Sequence, residues 1–252
     1  MDLWSAATAN NAQWCDTVCR GHGVSTAVRD AVWLAGARPP VFYPDAITLT
    51  AAVAAGTVLQ LLGKRPECAV KDSYGRLDLT SEGFAVLFSG QWISQPPRSP
   101  SASGHSCLDP AWTVLTSTAE LAEWSLAHGS SATLTPRVLS NKSVRVLAGW
   151  DGARLVAGAI LNRSDGVVGM SNVFSAEGFG SNPWVHSAGA AAALFPGLAV
   201  VGYEHDGDLA TAVAADFEVV GELRVWVRGE AGEPAGTGQV DLRRQIPRQW
   251  MA

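Results

Sequence analysis

VRVLAGWDGARLVAGAILNRSDGVVGMSNVF, residues Val144–Phe174, decides the fold class. It holds three apolar, β-rich runs, Val144–Ala148, Arg154–Leu161 and Val167–Phe174, separated by Asp151-Gly152 and Asp165-Gly166. An Asp-Gly pair between such runs is the short-range signal of a hairpin, because both central residues of a type I′ turn need positive φ. The stretch therefore predicts a three-strand meander. Working outward, Trp112–Leu115 reads as a short strand. Thr118–His128 reads as a helix that Ser117 or Thr118 can cap and Gly129 ends. On the other side, Asn182–Phe195 is an alanine-rich helix stopped by Pro196-Gly197. Leu198–Tyr203 is a continuous apolar run of the kind found in buried strands. Asp208–Ala215 is a short helix and Glu218–Val227 the last strand.

The amino-terminal block has part of the same order: a helix over Ala9–Arg20, strands over Ala31–Ala35 and Ala46–Thr50, and a helix over Ala51–Leu62. A strand over Glu67–Asp72, an irregular or helical stretch over Arg76–Glu82 and a strand over Phe84–Trp92 complete it. The tails of the two blocks can be set side by side. Lys71-Asp72-Ser73-Tyr74, a connection, Gly83-Phe84 and a strand with Trp92-Ile93 match Tyr203-Glu204-His205-Asp206, a helix, Asp216-Phe217 and a strand with Trp226-Val227. Either each half folds a similar unit, or two ordinary α/β stretches are alike by chance.

Ser94–Pro110 separates the blocks. It carries Pro96, Pro97, Pro100 and Pro110 among Ser and Gly, a composition of extended, solvated chain. The division expected is 1–95, a 96–111 linker, 112–228, and an irregular tail over 229–252. Of the 252 residues 47% are hydrophobic and 16% charged, so a sizeable core is available and a disordered chain is excluded. Net charge is -5 without a basic block, which speaks against nucleic acid. No apolar run long enough to cross a membrane and no secretory signal is visible, and Cys15, Cys19, Cys68 and Cys107 are too scattered for a disulfide framework. A cytoplasmic protein with reduced thiols is the expectation.

The element order strand, helix, three-strand meander, helix, strand, helix, strand over 112–228 resembles the GNAT (GCN5-related N-acetyltransferase) fold. The first block looks like a partial, diverged copy. The resemblance implies an α/β (α+β) protein of tandem GNAT-like build, with mixed twisted sheets flanked by helices. The family's acyl-CoA signature is R/Q-x-x-G-x-G/A before a helix, where free backbone N–H groups and the helix dipole hold a pyrophosphate. Here the loop reads Ser175-Ala176-Glu177-Gly178-Phe179-Gly180. Gly178 and Gly180 fit the pattern and would bind the cofactor if acetyl-CoA is used. Ser175 replaces the Arg or Gln, and Glu177 puts a negative charge where the pyrophosphate would lie. No cofactor is therefore the first expectation and acetyl-CoA the alternative. More loosely, Glu67-Cys68-Ala69-Val70-Lys71-Asp72-Ser73 with Tyr43-Pro44-Asp45 is similar to actinobacterial GNAT-like proteins, some associated with aziridine-containing natural products. That likeness implies ring closure by an amine that displaces sulfate from the same molecule, in antibiotic biosynthesis.

Read as chemistry, Lys71 could stabilise a departing anion, Asp72 or Asp45 could take the amine's proton, and Ser73 and Cys68 could position substrate. Strand alternation puts Lys71 and Ser73 on one face and Asp72, Cys68 and Val70 on the other, so all four share a pocket only if the strand ends or twists near Asp72. Tyr43, Ser171, Asn172, Tyr203, Glu204 and His205 are the candidate substrate-binding residues. Ser171 and Asn172 interrupt an apolar run and could equally satisfy backbone at a bulge. No metal site is expected, since Cys15, Cys19 and His22 do not complete a ligand set, and no nucleophile elbow or P-loop is present. The expected partner is a small molecule, with a partner subunit or a carrier protein allowed by the low charge and the ten tryptophans. The competing readings are a CoA-dependent N-acetyltransferase and a non-catalytic GNAT-like binding subunit.

Overall fold

The computed structural model of the protein describes residues 2–98, 111–131 and 133–229. Residues 99–110 and 230–252, which hold most of the expected linker and tail, lie outside it. The first half begins with α1 (Leu3–Gly21), whose first turn is capped by the Asp2 carboxylate accepting from the N–H groups of Trp4 and Ser5. A hairpin of β1 (Thr26–Arg29) and β2 (Val32–Ala35) follows, then β3 (Ala46–Thr48), α2 (Ala55–Leu62), β4 (Cys68–Asp72) and, after a 3-10 turn over Thr80–Glu82, β5 (Ala85–Gln95). The second half runs β6 (Ala111–Val114), α3 (Thr118–His128), α4 (Arg137–Ser140), β7 (Val144–Asp151), β8 (Arg154–Ser164), β9 (Val167–Ser175), α5 (Pro183–Leu194), β10 (Ala199–Glu204), α6 (Asp206–Val213) and β11 (Glu218–Arg228). α3 starts in a full capping box of Ser117 and Glu120 and stops at Gly129 in the left-handed region.

The meander forms, but its turns differ from the expected geometry. Asp151 pairs with Arg154, so the central residues are Gly152 and Ala153, and only Gly152 has positive φ, at +59°. Among the described residues, the one two-residue turn with positive φ at both centres is Asp30-Ala31, at +49° and +59°. It contains no glycine, and β1 has no counterpart in the sequence reading.

The eleven strands of the described residues form one sheet in the order β1-β2-β3-β4-β11-β5-β10-β9-β8-β7-β6. The last strand of each half pairs only with strands of the other half: β5 lies between β11 and β10, and β11 between β4 and β5. The junction has an internal two-fold relation centred on the pair Gly90↔Leu223, with bulges on either side at Leu87 and Val220. Lys71 pairs with Val225 and Tyr203 with Trp92, so Trp92 corresponds to Val225 rather than to Trp226. The tryptophan landmarks in the two tails are thus one residue out of register, whereas Lys71 and Tyr203 do occupy matching places.

Helices cover both faces. α5 and α6 bury Trp184, Ala188, Ala191 and Ala212 against Val168, Met170 and Val200. α2 and the chain after β4 bury Val58, Leu62 and Leu79 against Val70 and Trp226. α1 crosses the opposite face, over the junction of the halves, with Trp14, Cys15 and Val18 against Trp124, Val146 and Ile160. It is tied down by hydrogen bonds as well as by burial. The Trp4 indole donates to the Ser73 carbonyl at 2.8 Å, and the Asn10 amide donates to the Asn162 carbonyl at 2.9 Å and to Ser164 Oγ at 2.8 Å. Gly169 lies under this pair; a Cβ there would overlap Asn10 Oδ1.

Candidate functional site

β9 and β10 are parallel and paired only over Val167–Gly169 and Ala199–Val201. Beyond that point they part. Ile160 pairs with Ser171 and Gly158 with Phe174, so Asn172 and Val173 face a single residue across a β-bulge, and Asn172 takes φ +55°. A small pocket, with a cavity volume of about 40 Å³, opens at this point on the α1 face. Ser171, Asn172 and Tyr203 form one wall, and Asn11, Trp14 and Cys15 of α1 form the roof. Tyr43 and Lys71 come from the first half, and His128, Ser130 and Thr133 from the end of α3 and the chain after it.

Lys71 is only 5% exposed. Its ammonium donates to Asn11 Oδ1 at 2.9 Å and lies 4.0 Å from the centroid of the Tyr203 ring. Among the described residues no carboxylate pairs with it, and none of the lining residues is acidic. A buried cation satisfied by an amide and a π face alone keeps a strong attraction for an anion. The tyrosines suit the same environment: burial pushes the Tyr43 hydroxyl well above its usual range, so it stays a neutral hydrogen-bonding group.

The other residues proposed around Lys71 do not reach this pocket. β4 keeps its alternation through Asp72, so Asp72 turns to the opposite face. There its carboxylate accepts from the N–H groups of Leu77 at 2.7 Å and Tyr74 at 3.3 Å and holds the chain after the strand. Burial raises its pKa against those hydrogen bonds. Asp45 is engaged by Arg65 at 2.7 Å and by the Ala69 N–H at 2.9 Å. Ser73 is fully buried. Its carbonyl accepts from both the Trp4 and Trp92 indoles at 2.8 Å, and its N–H donates to Thr48 Oγ1 at 2.9 Å. Cys68 packs with Val70 and Leu62, and burial raises its thiol pKa. None of the four lines the Lys71 pocket: the Asp72 and Asp45 carboxylates and the Ser73 main chain hold backbone, and Cys68 packs in the core.

Of the six candidate binding residues, Tyr43, Ser171, Asn172 and Tyr203 line the pocket. Glu204 and His205 do not. Alternation sends Glu204 to the other face, where burial and the nearby Asp208 carboxylate push its pKa well up. His205 Nδ1 lies 3.0 Å from Asp206 Oδ2, and its ring stacks on Phe88 with centroids 4.6 Å apart. Asn11, Trp14, Cys15, His128, Ser130 and Thr133 were not legible as site residues. Each sits in a stretch whose local pattern reads as helix or helix end, and only the crossing of α1 over the junction collects them.

Gly178 and Gly180 line a separate, roomier concavity of about 360 Å³ with Asp151, Arg154 and Glu177. The start of α5 has few donors left for an anion. Pro183 has no N–H, the Trp184 N–H is bonded to Asn182 Oδ1 at 2.9 Å, and the Val185 N–H to the Asn182 carbonyl at 3.2 Å. Arg154 is the one cation lining this loop, against two carboxylates. Among the described residues no group of His, Cys, Asp or Glu has the arrangement to hold a metal ion. Cys15 and Cys19 are buried, with thiol pKa values pushed up by burial to about 11 and about 12.

Neither a protein-family model nor a curated protein sequence matches the chain. Solved structures do. A GCN5-related N-acetyltransferase from Kribbella flavida superposes with a TM-score of 0.63 at 12% identity, over 92% of this chain and 97% of the other. A putative acetyltransferase of the GNAT family from Novosphingobium aromaticivorans gives 0.55 at 13% identity, over 89% and 99%. A functionally unknown conserved protein from Staphylococcus epidermidis gives 0.60 at 8% identity, over 82% and 94%. The protein thus has the GNAT fold over most of its length, as a mixed α/β structure with a large mixed sheet flanked by helices. None of its described helices is long and apolar enough to cross a membrane.

Proposed function

We propose that this protein is a GNAT-fold enzyme that acts without acyl-CoA on a small, amino-acid-derived organic anion held at Lys71. The observation that carries the reading is the buried Lys71 ammonium, which faces a pocket at the strand splay with no carboxylate partner. The spent donors at the start of α5 and the two carboxylates beside Gly178 and Gly180 support the part that concerns acyl-CoA.

In its sharpest form the reaction is intramolecular amine alkylation that gives an aziridine. The amine nitrogen forms a bond to the neighbouring carbon, the carbon–oxygen bond to sulfate breaks, and sulfate leaves with the electron pair. Lys71 stabilises the charge that grows on the departing oxygen. The pocket holds nitrogen and leaving group in line. Since neither Asp72 nor Asp45 lines the pocket, the amine reacts as its free base, a form favoured beside a cation, and the ring nitrogen gives up its proton to water. Lys71→Met is expected to lower sulfate release from a 1-amino-2-alkyl sulfate by about 100-fold or more, the scale of losing one charge-stabilising donor. Unchanged release would end the reading.

A CoA-dependent N-acetyltransferase is the second reading, favoured by the concavity at the Ser175–Ser181 loop. Calorimetric titration with acetyl-CoA separates the two, and saturable micromolar binding would favour the second. If Lys71→Met leaves product formation in cells untouched, a non-catalytic binding subunit gains instead.

A further inference from the structure

Two further residues of the same pocket bear on what else the substrate carries. His128 is the last residue of α3 and Ser130 follows two residues on, and both line the pocket that contains Lys71. They are 8% and 2% exposed. The His128 ring is held by stacking on Trp124, centroids 5.0 Å apart, and by Phe174 at 5.3 Å. Trp124 is itself fixed, since its indole N–H donates to the Leu147 carbonyl at 2.8 Å.

Yet among the described residues His128 Nδ1 and Ser130 Oγ have no hydrogen-bond partner. Leaving a buried polar atom unpaired is costly, and two of them beside one cavity are relieved by a ligand that pairs with them. The chemistry of that ligand group follows from charge. Burial holds the imidazole down at about 4, so at neutral pH His128 offers one donor and one acceptor and no charge. With no acidic lining residue, an ammonium would find no counter-ion and would face the Lys71 cation.

Resting on the reading above, we propose that His128 and Ser130 form a second substrate subsite, which takes an uncharged hydrogen-bonding group such as a carboxamide, carbonyl or hydroxyl while Lys71 holds the anion. The preferred ligand is then an anion with a neutral polar tail.

Three sulfate esters test this by calorimetric titration of the full chain. They are 3-amino-3-oxopropyl sulfate, 3-methylbutyl sulfate, which has the same shape without the amide, and 3-aminopropyl sulfate. The amide ester is expected to bind at least about tenfold tighter than the methylbutyl ester, and the ammonium ester no tighter than the methylbutyl ester. Ser130→Ala and His128→Leu each narrow the amide preference to about twofold or less without weakening the methylbutyl ester, whereas Lys71→Met weakens all three. Thermal melts establish that each variant is folded; if His128→Leu is not, His128→Asn and Ser130→Ala carry the test. Equal, Lys71-dependent binding of the amide and methylbutyl esters overturns the subsite and leaves the Lys71 reading standing. Binding indifferent to Lys71→Met, or absent for every ester, overturns both.

Discussion

Lys71 and Glu204 are both buried ionisable side chains, and burial of each bears on stability. Lys71 is a buried cation without a counter-ion, and replacing such a group by an apolar one of similar shape is commonly stabilising. Lys71→Met should therefore raise the midpoint of urea unfolding, by about 1 kcal/mol in stability, while it abolishes sulfate binding. A large loss of stability instead would make Lys71 a structural residue. Glu204 is a buried acid whose pKa is raised well above 4.5 by burial. The folded chain keeps a proton there that the unfolded chain gives up, so stability falls as pH rises above about 4.5. Glu204→Gln is expected to match the parent near pH 4 and to exceed it increasingly toward pH 8. Urea melts across that range check the sign, and parallel curves would show that Glu204 is ionised in the folded state.

At the scale of elements, the turn Asp30-Ala31 and the contact of α1 with the sheet are the informative features. Ala31 sits at φ +59°, where an L side chain is strained by roughly 1–2 kcal/mol. Ala31→Gly should stabilise the protein by up to about 1 kcal/mol, since glycine's greater unfolded-state freedom offsets part of the relief. No shift in the thermal midpoint would contradict that. Gly169→Ala acts in the opposite direction. Its methyl would displace the Asn10–Asn162 hydrogen bonds under α1, at a cost of about 2–3 kcal/mol. Thermal melts measure the loss, and an unchanged midpoint would mean that α1 shifts freely over the sheet. Helices with local punctuation were readable. α3 has its capping box and αL glycine, and its observed span matches Thr118–His128. β1 was not readable, because Ala31, the second residue of its turn, is not one that usually takes positive φ. α1 begins at Leu3, well before Ala9, because the Asp2 cap and the tryptophan contacts with the sheet support its first turns.

For the whole molecule, the exchanged strands make the two halves dependent on each other. β5 finds its neighbours β10 and β11 only in the second half, and β11 finds β4 and β5 only in the first. Residues 1–98 and 111–252 produced as separate chains in one cell should co-purify as a one-to-one complex that melts in a single transition. Each alone would leave sheet edges and apolar faces bare and should aggregate. A half that melts cooperatively by itself would contradict this. The exchange also builds the site: Lys71 on β4 and Tyr203 on β10 hold matching positions in the two halves and lean together across the junction beneath α1.

By itself, the sequence determined most of the element order, though not β1 or α4, together with the meander, the caps of α3, the Pro196-Gly197 stop after α5 and the GNAT-like arrangement of the second half. These depend on periodicity and turn chemistry within a few residues. Strand alternation placed Lys71 and Asp72 on opposite faces, but whether a twist near Asp72 would bring them into one pocket stayed open at that level. Only the tertiary structure decided that the two sheets run on as one, that Asp72, Asp45 and Ser73 lie outside the Lys71 pocket, and that His128 and Ser130 line it. The physical reason is that strand pairing and helix docking are set by which buried faces and backbone donors remain to be satisfied across the whole chain, and nothing local records the partner.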